Sequence, residues 1–252
     1  VTPPVGFTNY LGVTSSSAYS VLTGDVFSVN QRIEGLNCAD LAWGTSDAKT
    51  VTLSFWVRSS LTGTFGGALL NSTTTRSYPF SYTISSANTW TQISVTIPGD
   101  TTGTWLTTNG IGINVTFSLG AGSTYSGTAG SWAATEYDSC TGATSVVGTN
   151  GATWYITGVQ LEVGPSASSF EVRDYGRELI LCQRYYSTSE NANICVGNAG
   201  YFLPYSFAVS MRATPTTTLT CFILRLLIPF YFFILALPSA ISCRAAVVAL
   251  KL

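Results

Sequence analysis

Apolar residues recurring at every second position from Val26 to Val163 constrain this chain more than any other feature. A two-residue period sends alternate side chains to opposite faces of a β-strand. In Val51-Thr-Leu-Ser-Phe-Trp-Val57, the positions Val51, Leu53, Phe55 and Val57 share one face, while Thr52, Ser54, Trp56 and Arg58 share the other. The same period runs through Phe27, Val29, Gln31 and Ile33, through Tyr78, Phe80, Tyr82 and Ile84, and through Ile93, Val95 and Ile97. It returns in Ile111, Ile113, Val115, Phe117 and Leu119, and Tyr155, Val159, Leu161 and Val163 read as the apolar face of a closing strand. Clusters of Gly, Pro and Asn separate these runs, as turns do in a sandwich. These strands, with short ones expected near Tyr10 and Ser20, suffice for two antiparallel sheets packed face to face. The expected fold is all-β: a jelly-roll β-sandwich followed by a short helix and a small C-terminal β domain.

The pattern changes after Gly164-Pro165, where Leu179, Cys182 and Tyr186 are spaced for a helix. The expected organisation is an N-terminal extension or first strand over 1–24, the jelly roll over 25–172, a helical linker over 173–190 and a C-terminal β domain over 191–252, with strands in Tyr201–Ser210 and Thr216–Thr220. From Cys221 to Leu252 the chain has no Thr, Gly, Asn, Asp or Glu, and Phe222 to Leu237 is apolar apart from Arg225, with Pro229 inside it. A membrane helix needs about 20 apolar residues, so this shorter, interrupted run disfavours a span. A buried β segment and a slipped reading frame near Thr220 are the other readings. The start at VTPPVGF has neither an initiator Met nor a secretory leader, and a fragment or processed product is expected.

Charged residues make up 9% of the 252, and the net charge is -1. Nucleic-acid binding needs clustered Lys and Arg, whereas the 11 here are scattered, so no nucleic-acid partner is expected. The chain has no histidine and no C-x-x-C pair, which removes the common zinc sets and the Ser-His-Asp triad. No metal and no cofactor are expected. The six cysteines, Cys38, Cys140, Cys182, Cys195, Cys221 and Cys243, are expected to be mostly free thiols.

Five segments together resemble a family of tailed-bacteriophage virion proteins. They are Arg32-Ile-Glu-Gly, Ala39-Asp-Leu-Ala-Trp-Gly-Thr, Val51-Thr-Leu-Ser-Phe-Trp-Val-Arg-Ser-Ser-Leu-Thr-Gly-Thr, Trp154-Tyr-Ile-Thr-Gly-Val-Gln-Leu-Glu and Glu178-Leu-Ile-Leu-Cys-Gln-Arg-Tyr-Tyr. The Ser-Phe-Trp-Val and Gly-Val-Gln-Leu-Glu strands are similar to those of carbohydrate-binding-module jelly rolls, and the Leu-Cys-Gln-Arg-Tyr-Tyr segment is what points to phage particles. The resemblance spans residues 25–220 and fails after Thr220. It implies a virion surface protein made in the host cytoplasm, a tail-fibre or host-attachment component. It also implies a homotrimer, contacts with other virion proteins and binding of host-surface polysaccharide. A head, collar or capsid-decorating fibre without ligand, and a polysaccharide depolymerase, are the competing functions.

Glycan binding by a sandwich needs aromatic faces for sugar C–H groups and polar side chains for hydroxyls. The strand periods place Trp56 and Arg58, Arg32 and Glu34, and Trp154, Gln160 and Glu162 on non-core faces, where they would line one outer sheet surface. A covering loop or neighbouring subunit would hide the same residues. A second set, Trp43, Trp105, Tyr125, Trp132 and Tyr137, falls in loops, where it would either plug the sandwich or display a receptor site. Of the 12 acids, Glu136 and Asp138 form the only close pair between Trp132 and Cys140, which suits cation binding or solvation as well as catalysis. No enzyme activity is expected.

Overall fold

The computed structural model describes residues 1–186, 195–197, 200–202 and 209–211. They fall in two compact units, Val1–Val172 and a second from Arg173 onward.

The first unit contains ten strands: β1 Leu11–Thr14, β2 Val26–Glu34, β3 Val51–Ser59, β4 Gly63–Leu70, β5 Ser77–Ile84, β6 Thr91–Ile97, β7 Ile111–Ala121, the two-residue β8 Ser126–Gly127 and β9 Ser139–Cys140, and β10 Thr153–Val163. The first sheet has the order β1-β10-β3-β6 and the second β2-β7-β4-β5, with every neighbouring pair antiparallel. Setting aside the two-residue pair, the long strands run 1-8-3-6 in one sheet and 2-7-4-5 in the other. This interleaving is that of a jelly roll, in which two Greek keys wrap around one core.

The facing sides are apolar because each strand contributes alternate residues. Val51, Leu53, Phe55 and Val57 of β3 meet Ile113, Val115 and Phe117 of β7 and Phe65 and Leu69 of β4 in one cluster. Edge-to-face rings fill its centre, with Phe55 5.1 Å from Tyr82 and 5.0 Å from Phe117. Strand β4 was not expected, because Gly66 and Gly67 break its apolar run. Both glycines are required by close packing: a Cβ at Gly67 would lie 2.4 Å from the Phe80 ring, and one at Gly66 would lie 2.4 Å from Ser139 Oγ. The strand expected near Ser20 is absent. Tyr19 and Asp25 instead close a turn, with the phenol donating to the carboxylate at 2.9 Å.

Strand β10 departs from the expected phase. Trp154 and Ile156 face the core, a bulge between Thr157 and Gln160 follows, and Val159 and Leu161 regain the core face. Gly158 supplies the left-handed turn of this bulge at φ 60°, which costs glycine little. Trp154 is therefore a core residue, fully buried with its indole N–H donating to Tyr82 Oη at 3.1 Å, and not an outer-face residue. Tyr155, expected inside, points outward beside Arg58, and Val163 is exposed at the strand end.

The second sheet is covered on its outer side. The segment from Gly120 to Gly151, loop-like in composition, crosses the second sheet: Ser77 and Ala133 exchange backbone hydrogen bonds, Gly130 N donates to Pro79 O, and Thr144 N donates to Thr64 O. Beneath it lie outward-facing Thr116, Ser118 and Ser77, all buried. In the second unit, α1 Tyr175–Gln183 is capped by Asp174, whose carboxylate accepts from Arg177 N, and β11 Cys195–Gly197 pairs antiparallel with β12 Gly200–Phe202. The other features expected of the C-terminal domain, including the strand over Thr216–Thr220 and the apolar tail from Cys221, lie outside the described residues. Cys38, Cys140 and Cys182 are free thiols. No helix among the described residues is long and apolar enough to cross a membrane.

Candidate functional site

The residues expected to form one surface occupy three environments. Trp56 and Arg58 lie half-buried on the outer face of the first sheet. Arg32 is exposed on the opposite side of the sandwich, on β2 of the second sheet, with Glu34 buried near the end of the same strand. Trp154 is inside. The separation follows from topology, since β2 and β3 are consecutive in sequence but belong to different sheets.

Gln160 and Glu162 do share the outer face with Trp56, yet they bind the chain that follows β10. Glu162 accepts from Ser168 N at 2.7 Å and from Ser168 Oγ at 2.6 Å, and Gln160 Oε1 accepts from Glu171 N at 3.0 Å. Thr52 and Thr96 donate to the carbonyls of Gly164 and Pro165, so residues 164–171 fold back over this end of the sheet. Gln160 is completely buried as a result.

The other end of the same face carries rings that were not among the expected site residues. Tyr155 of β10 stands edge-on to Tyr10 at 5.4 Å, Tyr10 to Trp90 at 6.0 Å, and Trp90 lies 6.5 Å from Tyr155. Arg58 completes the group, its guanidinium carbon 5.5 Å from the centre of the Tyr155 ring and its Nε donating to Asn88 O at 2.8 Å. All four residues are half-buried, and Gln92, the cross-strand partner of Trp56, is exposed beside them. Trp90 donates its indole N–H to Thr2 O at 2.8 Å, which fixes the ring. The result is a rigid aromatic ledge with a cation and an amide at hand. The sequence signal for it was the bulge: once Gly158 reverses the phase of β10, Tyr155 moves outside.

The loop aromatics form a plug. The rings of Trp43, Trp105 and Trp132 meet edge to face at centroid distances of 4.7, 5.3 and 5.5 Å. Their N–H groups are consumed internally: Trp43 donates to Lys49 O, Trp132 to Pro98 O and Trp105 to the Asp100 carboxylate. Arg76 closes the plug with two hydrogen bonds to Asp100, at 2.7 and 2.6 Å. Burial opposes ionisation of Asp100, but the hydrogen bonds from Arg76 and Thr102 outweigh it and hold the carboxyl below its ordinary range. Tyr137 packs its ring on Gly127, and Tyr125 and Tyr137 are both half-buried.

The Asp138 carboxyl is displaced toward protonation. Burial, with Glu136 nearby adding repulsion, raises it to about 6. Asp138 lies within the segment crossing the second sheet and is 8% exposed. Among the described residues no three metal-ligating side chains come together.

No family model and no curated protein matches this chain. One solved structure, described as "CBM4 structure and function", is similar to it at 16% identity and a TM-score of 0.34, over 62% of this chain and 71% of that one. The jelly-roll assignment rests on the strand order and pairing above.

Proposed function

We propose that this protein is a non-enzymatic adhesin of a phage particle that holds host-surface polysaccharide on the outer face of its first sheet. The observation that carries the reading is the ledge of Tyr10, Trp90 and Tyr155 with Arg58 and Gln92 beside it. Half-exposed rings held rigidly offer apolar surface to sugar C–H groups, and guanidinium and amide groups supply donors for hydroxyls, at little ordering cost on binding. The virion setting, as a tail-fibre or other host-attachment component on the particle surface, and a homotrimeric assembly rest on the sequence resemblance. The non-enzymatic reading rests on the lack of histidine, which removes a Ser-His-Asp triad.

The test is binding of the full chain to a glycan array and to polysaccharide extracted from the host surface. Retention of a polysaccharide that falls by about tenfold or more in Trp90→Ala and Tyr155→Ala supports the ledge. Binding unchanged in both variants places the site elsewhere, and release of reducing ends during incubation overturns the non-enzymatic reading.

A further inference from the structure

A second concave feature lies away from the ledge, on the flank where the two sheets part. On this flank the first sheet ends in the edge strand β1 and the second in the edge strand β2, which are not paired with each other. Between Val13 at the end of β1, Phe27 at the start of β2 and the turn at Val146–Val147 there is a cleft of about 410 Å³. That volume is within the range of sites for small organic ligands, on the order of 300–1,000 Å³.

Its floor is the margin of the core, since Val13, Phe27 and Val147 pack against the buried cluster. Its wall is Tyr19, 41% exposed and edge-on to Phe27 at 5.3 Å. Its rim is the run Thr14 to Ser17. Three backbone hydrogen bonds tie this rim to the facing loop: Ser15 N to Ala152 O at 2.8 Å, Gly151 N to Ser15 O at 2.8 Å and Tyr19 N to Val147 O at 2.9 Å. Ser15 Oγ donates to Ser17 O at 2.9 Å, which fixes the rim internally. The cleft is therefore formed without a ligand. The hydroxyls of Thr14, Ser16 and Ser17 are exposed and make no hydrogen bond to the described residues.

The charge of the lining narrows the ligand. None of the lining residues is ionisable apart from the Tyr19 phenol. The nearby carboxylate, Asp25, is occupied by Tyr19 Oη and Leu22 N, both at 2.9 Å. Among the described lining residues an anionic ligand meets no cation and a cationic one no carboxylate. An aromatic wall, an apolar floor and a rim of free hydroxyls match a compact molecule with C–H faces and several hydroxyls. We infer that this cleft binds a neutral sugar ring end-on, as the terminal residue of a glycan, and that it is a second carbohydrate site independent of the ledge.

Saturation-transfer NMR on the full chain, with glucose, galactose, mannose, N-acetylglucosamine and glucuronate as probes, tests this. The expected result is transfer to at least one neutral sugar that persists in the double variant Trp90→Ala/Tyr155→Ala. Affinity should fall about tenfold in Tyr19→Ala and in Ser17→Arg, the latter placing a long side chain across the mouth from an exposed position. Circular dichroism melts of both variants check that the fold is retained; should Tyr19→Ala melt early, Ser17→Arg decides. No transfer to any neutral sugar, transfer unaffected by Ser17→Arg, or stronger binding of glucuronate overturns the proposal. Signal lost only in the ledge variant overturns it too, while leaving the ledge reading intact.

Discussion

Arg76 grips Asp100 through two parallel hydrogen bonds, and the same guanidinium lies 5.9 Å from the centre of the Trp132 ring. One cation thus neutralises a buried carboxylate and covers the tryptophan plug that closes one end of the sandwich. The Asp100 side chain is 2% exposed and that of Arg76 15%, so the pair is shielded from solvent.

Removing one partner leaves the other charged and unpaired. Arg76→Met is expected to cost about 3 kcal/mol, and Asp100→Asn less, because an amide still accepts from Arg76. Urea denaturation at neutral pH measures both. Because the folded carboxyl is held below its unfolded value of about 3.9, its contribution is complete above that pH and lost as pH falls through the folded value. Asp100→Asn should flatten this acid limb of the stability profile.

Asp138 carries the opposite sign. Its carboxyl is raised to about 6 in the folded protein by burial, with Glu136 contributing. The folded state therefore holds the proton more tightly than the unfolded chain, and stability falls as pH rises from about 4 toward 6. Above that window the penalty is complete, on the order of 3 kcal/mol. Asp138→Asn should stabilise the protein at pH 7 and be nearly neutral at pH 4, as read by thermal melts at the two pH values.

Trp154 and Trp56 should behave differently despite lying on paired strands. Trp154→Phe removes the donor to Tyr82 Oη inside the core and leaves a volume deficit, at a cost of roughly 2–4 kcal/mol. Trp56→Phe, on the half-buried outer face, should cost less than about 1 kcal/mol. Equal losses in chemical denaturation would mean that the register of β10 differs from the one described.

Gly158→Ala should destabilise the sandwich by about 1–2 kcal/mol from the left-handed backbone alone. A Cβ there would also come within 2.5 Å of the Phe7 ring, so the N-terminal segment must shift. Faster proteolysis ahead of β1, together with a lowered melting temperature, is the expected signature.

Strand β3 is legible from its alternation because it is central and unbroken: Val51, Leu53, Phe55 and Val57 all face the core. Strand β10 is legible only in its second half. Val159 and Leu161 are in the core, but one glycine of positive φ reversed the phase ahead of them, exchanging Trp154 and Tyr155. A single bulge is nearly invisible to a two-residue period because the apolar count barely changes. Strand β4 was hidden for a different reason, since Gly66 and Gly67 are there to admit neighbours and carry no apolar signal of their own. The candidate surface was misassembled because alternation gives the face of each strand but not the sheet to which the strand belongs. That separates Arg32 from Trp56. Nor does alternation show which outer faces the chain later covers, as it does at Gln160 and Glu162.

The contact between Phe7 and Phe170, with ring centres 5.1 Å apart, brings the path into the sandwich beside the path out of it. A pull applied through these flanking segments enters and leaves the unit at nearly the same point. The contacts loaded first are then those of the flanking segments, Thr2 O with Trp90 on the way in and Glu171 N with Gln160 on the way out, followed by the ring pair and the hydrogen bonds of Ser168 to Glu162. Built this way, the unit can give up slack under tension before its core is strained.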